Sequence, residues 1–508
     1  YGLDNLNVER VVCHPTDPRQ LWTCATPTRA DGAKLWRAGG AYASSDAGAS
    51  WRRLAGGLPD QRSEQEHLTT GFKGFAVSAR NPRRLVACNT PWDANWVLLS
   101  DDGGESWRRV ADKSTVDVAY PAGLNLTVMA IDANDPDVIY GAGSEYALRS
   151  TDGGRTWTDI TAERVGDGWR GRGYSGLCCT SALFDPWVRG RLLLNAMDAG
   201  KLWESRDNGS SWRYRGDDPW PWGGGNQTAL AKDGHGYCAT GQFGGNGGIL
   251  RTVDGTTWKA VYGADHGLPS KDGGGVAESV YTLPDDSSRV WCCWGGKLYA
   301  SRDGGGLWAA VEGVTDAHYL AADPKRPTRF LVSGGGDCYL TDDGETFRPI
   351  GGPRWAGMAS ADTLGRFYVC AWRSDKRAGL WRYADGQWTR LWDNYYVRRV
   401  AADPSDPRRL VAVDMDHPYH DHVKAQGVWL STDDGAGWTR ANDGLPGLRV
   451  EALAINPHDP EDIVIGTHGL GFYRARWAKD YVPAPEVRYA ATEADRAFAR
   501  PADPGQDE

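Results

Sequence analysis

Three acidic residues stand where predicted strands begin or end, a position from which a carboxylate can do acid–base chemistry. They are Glu145, Asp198 and Glu278. Two carboxyl groups about 5 to 9 Å apart can act as general acid and general base, or as acid and nucleophile, in the hydrolysis of a glycosidic bond. We therefore predict these three residues as catalytic candidates, with a solvated loop charge as the alternative for each.

The equivalent positions in the second half of the chain are mostly basic or aromatic. They hold Asp337, Arg354, Trp355, Arg373, Arg398 and His468. One side of the site is thus expected to be acidic and the other basic. Among these residues, Arg354, Trp355 and Arg398 are predicted to bind substrate.

Tryptophan is also frequent in long, Gly-rich polar loops, where it is poorly placed for core packing. The loop tryptophans are Trp92, Trp96, Trp169, Trp220, Trp222 and Trp372. A flat aromatic face beside polar groups suits a pyranose ring, which presents apolar C–H faces and a rim of hydroxyls. We predict that these residues bind a saccharide; the alternative is that they anchor their loops.

The densest ionisable cluster is HPYHDH at 417–422. His420 and His422 have the ligand type for a metal ion, and His and Tyr can act as base and acid in β-elimination from a uronate. A polar surface loop is the third interpretation. We predict substrate contacts for His417, Tyr419 and His420, and assign no metal ion or cofactor to the site.

An internal repeat defines the elements that must position these residues. Six copies of Ser-x-Asp-x-Gly-x-x-Trp end at Trp51, Trp107, Trp157, Trp212, Trp308 and Trp438. Contracted copies end at Trp258 and Phe347, and a worn copy ends at Trp388. The Asp carboxylate can accept backbone N–H groups of a tight turn, and the Gly can take the positive φ that such a turn needs. These Asp residues are therefore predicted to be structural, with the Trp packed between neighbouring units.

Each copy follows an apolar run, a Pro/Asp turn and a second apolar run, as in VAADPSDPRRLVAV at 400–413. Every unit thus reads as four antiparallel strands, and about ten units are spaced about 40 to 56 residues apart. This pattern predicts an all-β fold, a single β-propeller of ten four-stranded blades over 1–490, with a smaller ring and irregular extra units as the alternative. The Pro-, Ala- and charge-rich stretch 491–508 reads as a disordered or linker tail.

The repeated turn resembles the Asp-box, or BNR, repeat. That group includes sialidases, two-propeller xyloglucan-active glycoside hydrolases (family 74-like) and the ten-bladed receptor domains of sortilin-type proteins. The resemblance covers roughly 8–475, and it implies the fold more strongly than a function. The Arg-Ile-Pro signature of sialidases is absent.

The stretch GGAYASSDAGASWRRL at 39–54 is similar to the first blade of the xyloglucanases. That family places its catalytic Asp just before this Gly-Gly pair, whereas Arg37 and Ala38 stand there in this chain, after an insertion containing Asp31. A second seven-bladed propeller would not fit in 508 residues. The resemblance therefore implies glycoside hydrolysis, but the catalytic Asp of that family is absent from its expected position.

The composition limits the binding partners and the cellular compartment that can be expected for the chain. The net charge of −9 gives no reason to expect nucleic acid, and no apolar run is long enough to span a membrane. The chain begins at Tyr1 rather than Met, which fits a secreted or periplasmic protein after removal of a signal peptide. The ten cysteines mostly lie in apolar runs and read as buried thiols, although Cys13 and Cys24 flank a turn and a disulfide between them is left open.

Three functions remain from the sequence. The first is a secreted, monomeric glycoside hydrolase that cleaves a plant or microbial polysaccharide with a carboxylate acid and base. A lyase acting on an acidic glycan through His and Tyr is the second. The third is a non-catalytic, sortilin-like binding propeller.

Overall fold

The computed structural model is built almost entirely of short antiparallel strands. It describes residues 2–3, 7–26, 28–29, 36–37, 39–54, 71–89, 95–112, 116, 124, 126–143, 147–160, 170–171, 178–197, 201–210, 212–216, 220, 224–241, 247–269, 275–373, 377–417, 421, 424–445 and 447–483. Within these ranges there is no α-helix, and one 3₁₀ turn covers Ala264–His266. The predicted all-β class is confirmed.

The strands follow one another along the chain with short connections. The first part contains β1 (Val8–Cys13), β2 (Leu21–Ala25), β3 (Thr28–Arg29), β4 (Trp36–Arg37), β5 (Gly40–Ser44), β6 (Arg52–Leu54), β7 (Phe72–Val77), β8 (Leu85–Asn89), β9 (Val97–Ser100), β10 (Arg108–Ala111), β11 (Leu126–Ile131), β12 (Ile139–Gly143), β13 (Ala147–Ser150) and β14 (Thr158–Asp159). The middle contains β15 (Arg170–Gly171), β16 (Cys179–Phe184), β17 (Leu192–Ala196), β18 (Lys201–Ser205), β19 (Arg213–Tyr214), β20 (Gly225–Leu230), β21 (Gly236–Thr240), β22 (Gly248–Thr252), β23 (Trp258–Ala260), β24 (Ala277–Leu283), β25 (Asp286–Trp294), β26 (Gly296–Ser301) and β27 (Ala309–Asp323). The last part contains β28 (Arg326–Gly334), β29 (Cys338–Thr341), β30 (Arg348–Gly351), β31 (Ala359–Ala361), β32 (Phe367–Ala371), β33 (Gly379–Ala384), β34 (Gln387–Trp392), β35 (Val397–Ala402), β36 (Leu410–Asp414), β37 (Val428–Ser431), β38 (Thr439–Arg440), β39 (Val450–Ile455), β40 (Asp462–Thr467) and β41 (Phe472–Arg476).

These strands form four-stranded antiparallel units, which we number along the chain. Units 1 to 5 are β1-β2-β5-β6, β7 to β10, β11 to β14, β16 to β19 and β20 to β23, and β3 pairs with β4 as a separate hairpin. Units 6 and 7 share the long strand β27, which turns at Asp316 (φ 53°). Units 8 to 10 are β31 to β34, β35 to β38, and β39-β40-β41 with β15 as the fourth strand. The repeat therefore predicted the individual units.

Units 4 to 10 close into a ring of seven. Their first strands contact one another in the order β16, β20, β24, β27, β31, β35 and β39, and β39 returns to contact β16. The strand β15, which precedes unit 4 in the chain, pairs with β41 of unit 10 and completes its sheet. Ten blades in one ring are thus not confirmed, because unit 10 meets unit 4 directly.

Units 1 to 3 stack separately through their first strands, with β7 contacting both β1 and β11. They are not detached from the ring. One buried apolar cluster combines Val86 and Leu148 of units 2 and 3 with Leu194 and Val464 of units 4 and 10. The boundary predicted at residue 490 lies outside the described residues and stays a prediction.

The repeated Asp closes its turn by hydrogen bonds. In unit 1, Asp46 Oδ1 accepts the Ser50 backbone N–H (2.8 Å) and the Ser44 hydroxyl (2.8 Å). Gly48, at φ 90°, donates its N–H to Ser44 Oγ. The hydroxyl and N–H of Ser50 lower the pKa of Asp46 to about 2. This is the structural role predicted for the repeat.

The repeat tryptophans link units as well as turns. Trp308 of unit 6 is buried and donates its indole N–H to Val261 O beyond unit 5 (3.1 Å). Trp438 of unit 9 stacks on Trp392 of unit 8, with ring centroids 4.6 Å apart. Packing between units therefore buries much of the aromatic surface of the ring.

Candidate functional site

A cavity lies at the end of the ring where its inner strands begin. It contains about 880 Å³ of space, including its opening to solvent. The residues around it come from all seven units of the ring or the loops that enter them: Thr180, Asn226, Val276, Glu278, Tyr319, Met358, Trp372, Arg398, Met415, His417, Glu451 and His468. We call this space the central cavity.

A repeated β-bulge supplies most of its polar side chains. In six inner strands the pairing skips one residue, which leaves that residue outside the ladder. It is the second residue of the strand in five of them, and in β27 it follows the turn at Asp316. The skipped residues are Thr180, Asn226, Glu278, His318, Arg398 and Glu451. Met358 stands in the same place in unit 8, between Gly357, which bonds Cys370 O, and Ala359, which pairs with Val369. Residues at or next to this position in each of the seven units therefore line the central cavity.

Glu278 and His318 form the first pair among these bulge residues. Glu278 Oε1 lies 3.2 Å from His318 Nδ1. Glu278 Oε2 is buried and accepts no hydrogen bond from the described part of the chain. Burial raises the pKa of Glu278, and the bond to Glu278 raises the pKa of His318. The carboxyl group therefore holds its proton to a higher pH than an ordinary glutamate.

Arg398 and Glu451 form the second pair. Arg398 Nη2 donates to Glu451 Oε1 at 2.9 Å, and both side chains are largely buried. The guanidinium also lies over the Trp372 ring, 4.7 Å from its centroid. Trp372 in turn stacks with His417, with centroids 6.3 Å apart. This side of the cavity is an aromatic and cationic wall in which Arg398 pairs with the carboxylate of Glu451.

The central cavity gathers four of the residues predicted from the sequence. They are Glu278, Trp372, Arg398 and His417. Arg354 and Trp355 are exposed on the loop that leads to Met358, and Trp355 (67% exposed) donates its backbone N–H to Gly335 O. His468, read as part of the basic side, also lines the cavity.

Two predicted tryptophans lie elsewhere. Trp220 is 5% exposed and packs edge-on against Trp258 in the core, so the structure corrects its predicted contact with a saccharide to a loop anchor. Trp96 packs against the apolar cluster of units 1 and 2, beneath the guanidinium of Arg109. It is therefore a packing residue of units outside the ring.

The remaining predicted site residues lie outside the described residues. They are Glu145, Asp198, Trp92, Trp169, Trp222, Tyr419 and His420. In the sequence, Glu145 stands between β12 and β13 of unit 3, which is not a unit of the ring. Its role, like that of Asp198, stays a prediction.

Sequence reasoning missed Glu451, His318, Tyr319, Asn226 and Thr180. A signal for three of them exists, because Glu451, Asn226 and Thr180 are each the second residue of an inner strand and follow one apolar or small residue. An alignment of the unit sequences on that position would have identified these cavity residues. Attention to long loops led away from it.

Two further expectations concern the whole chain. No helix in the described residues is long and apolar enough to cross a membrane. Cys13 and Cys24 are both free thiols, Cys13 exposed and Cys24 buried, so the disulfide left open is not formed. Burial raises the pKa of Cys24 to about 12, as expected for a thiol that serves packing.

Comparison with known proteins gives one weak sequence relationship. No protein-family model matches the chain. A protein of Neosartorya fischeri described as a probable oligoxyloglucan-reducing end-specific xyloglucanase is 26% identical over 204 residues, which is 36% of this chain. The chain spans about a quarter (24%) of that relative's length.

Similar solved structures have low similarity scores. A YCF48 protein bound to a D1 peptide is 17% identical, with a TM-score of 0.44 over 60% of this chain and 95% of that one. The GH74 xyloglucanase of Xanthomonas campestris is 18% identical, with a TM-score of 0.24 over 93% of this chain and 85% of that one. A GH74 enzyme of Niastella koreensis is 15% identical, with a TM-score of 0.23 over 93% of this chain and 98% of that one.

Proposed function

We propose that the chain is a glycoside hydrolase whose reaction takes place in the central cavity. The observation that carries the proposal is the environment of Glu278. One of its carboxylate oxygens is bonded to His318, and the other is buried without a bond from the described chain. A buried carboxyl group with a raised pKa has the property required of a general acid.

Glu278 would give its proton to the glycosidic oxygen as the bond from that oxygen to the anomeric carbon breaks. Glu451, paired with Arg398, would then stabilise the positive charge on the sugar ring or activate the attacking water. Two carboxyl groups with opposite environments thus divide the acid and base roles. Of the three catalytic candidates predicted from the sequence, only Glu278 is part of this proposal.

Trp372 would supply the sugar-binding surface. Its ring lies at the cavity wall, next to Arg398 and His417, which can donate hydrogen bonds to hydroxyls. Trp355, which is exposed on the loop that leads to Met358, would be a further contact for the saccharide. A polysaccharide of plant or microbial origin, met outside the cell, is the substrate class that we propose.

The relationship to the probable xyloglucanase supports the choice of xyloglucan as the first substrate to test. Purified chain would be incubated with xyloglucan, other β-glucans and a uronate-containing glycan. New reducing ends that disappear in Glu278→Gln are the expected result. Absorbance from an unsaturated uronate would replace the proposal with a lyase, and binding without either product would replace it with a binding propeller.

A matched control separates catalysis from folding. Glu312 is an exposed glutamate on β27, away from the cavity lining. Glu312→Gln should therefore leave the release of reducing ends unchanged. If Glu278→Gln behaves like Glu312→Gln, Glu278 is not the acid.

A further inference from the structure

The place where the ring closes contains three side chains of metal-binding type. We propose that Cys178, Glu451 and His468 bind a thiophilic divalent cation, zinc being the first to test. Each offers one ligand atom, and the three atoms lie within 4.8 Å of one another. This site goes beyond the proposed hydrolysis and does not depend on it.

The distances suit a single ion. Cys178 Sγ lies 3.0 Å from His468 Nδ1, and that nitrogen lies 4.0 Å from Glu451 Oε2. Zinc bonds to sulfur, nitrogen and oxygen are about 2.0 to 2.3 Å long, so the ligands of one tetrahedral ion lie within about 4 Å of one another. Small side-chain adjustments would bring all three atoms onto one ion.

The chemistry of the set favours zinc over magnesium or calcium. Thiolate, imidazole and carboxylate are the ligands that zinc takes in proteins, whereas hard cations select oxygen alone. On binding, the Cys178 thiol loses its proton to water and a sulfur–metal bond forms. Thiolate and carboxylate then supply two negative charges beside the ion, and the carboxylate also remains paired with Arg398.

The three side chains are held by the fold before any ion binds. Cys178 is completely buried, and its backbone O accepts the N–H of Met197. His468 donates its backbone N–H to Arg449 O. Arg398 holds Glu451 Oε1, which leaves Oε2 as the oxygen facing the imidazole. A preorganised set of ligands loses little entropy when it coordinates an ion.

The position of the site gives it a structural consequence. Cys178 immediately precedes β16 of unit 4, whereas Glu451 and His468 belong to unit 10. Cys178 and His468 are 290 residues apart in sequence but adjacent in space, because the ring closes between these two units. A bound ion would therefore join the two ends of the ring and stabilise the folded chain.

The test begins with the chain after removal of metals by a chelator. A calorimetric titration of the metal-free chain with zinc should show one ion bound per chain. Thermal unfolding should show a higher Tm with zinc than without it. Cobalt(II) should give the absorption of a sulfur-to-cobalt charge transfer, which reports the thiolate directly. None of these measurements uses enzymatic activity, so a failed hydrolysis assay leaves all of the readouts valid.

Variants locate the ion. Loss of a supporting hydrogen bond weakens metal affinity about 10- to 100-fold, so Cys178→Ser and His468→Gln should each lose about 100-fold or more. Cys13→Ser, which alters an exposed thiol on β1, is the matched control and should keep the wild-type affinity. The proposal is overturned if zinc fails to bind at one per chain, if the cobalt spectrum lacks the thiolate band, or if both variants bind as the wild type does.

Discussion

Glu278 Oε1 lies 3.2 Å from His318 Nδ1, and the two residues occupy the same bulge position in neighbouring units. Neither residue belongs to a loop. Each is skipped by the strand pairing at a β-bulge, Glu278 as the second residue of β24 and His318 within β27 after its turn at Asp316. The pair shows how a repeated backbone feature can hold an acid and a cation at a fixed distance.

Substitution of the acid should remove catalysis without unfolding the ring. Glu278→Gln keeps the shape and the bond to His318 but cannot release a proton. General acid catalysis contributes about 10² to 10⁴ in rate, so kcat on the preferred glycan should fall by that factor. Circular dichroism and Tm should remain near wild type; equal loss of activity in Glu312→Gln would contradict the assignment.

The pH profile should follow the state of Glu278. Because the acid must be protonated, kcat/KM should fall as pH rises through the raised pKa of this residue. The bond from His318 lowers that pKa, so His318→Gln should move the alkaline limb to higher pH. His235→Gln, at the turn before β21, should leave the limb in place. A shift to lower pH in His318→Gln would be inconsistent with this coupling.

Saccharide binding should depend on Trp372. An aromatic side chain contributes about 1.5 to 3 kcal/mol when it becomes fully buried, so Trp372→Ala should weaken glycan affinity about 10- to 100-fold. Trp187→Ala is the control, since Trp187 is partly exposed and lies outside the cavity lining. Calorimetric titration with oligosaccharides would measure both. Equal affinities in the two variants would place the binding surface elsewhere.

The Arg398–Glu451 pair should be coupled in stability. Arg398→Met leaves a buried carboxylate without its partner, which typically costs about 3 to 5 kcal/mol. Adding Glu451→Gln should recover much of that loss, and denaturant unfolding of the four variants would measure the coupling. The exposed pair Arg52–Glu105 is the reference, where Arg52→Met should cost less than about 1 kcal/mol. Additive losses at Arg398 and Glu451 would show that the pair is not a unit.

Zinc should inhibit hydrolysis if both proposals hold. The ion would take Glu451 Oε2 and so remove the second carboxyl group from the reaction. Saturating zinc should therefore lower kcat in the wild type and act much less on Cys178→Ser. Zinc that binds at one ion per chain without lowering kcat would mean that Glu451 is not the second catalytic group.

Several features of the molecule followed directly from sequence. The repeat predicted the units, the structural role of Asp46 and the positive φ of Gly48, because those contacts lie within four residues of one another. Local hydrogen bonds and side-chain alternation are encoded by neighbouring residues. They can therefore be read without knowing the rest of the fold.

Partners across the ring could not be read in this way. Glu278 meets His318 over 40 residues, Arg398 meets Glu451 over 53, and Cys178 meets His468 over 290. A count of units does not say which units are in contact. The same sequence repeat would therefore be seen for a ring of seven units and for a ring of ten. The burial of Trp220 likewise depends on Trp258, a residue of another segment.

The sequence by itself determined the strands, the turns and the four-stranded units. Only the tertiary structure decided that units 4 to 10 close on each other and that one residue or more from each of these units lines a single cavity. The physical reason is that turn geometry depends on hydrogen bonds between near neighbours. Ring closure and the central cavity depend instead on packing between strands that are distant in the chain.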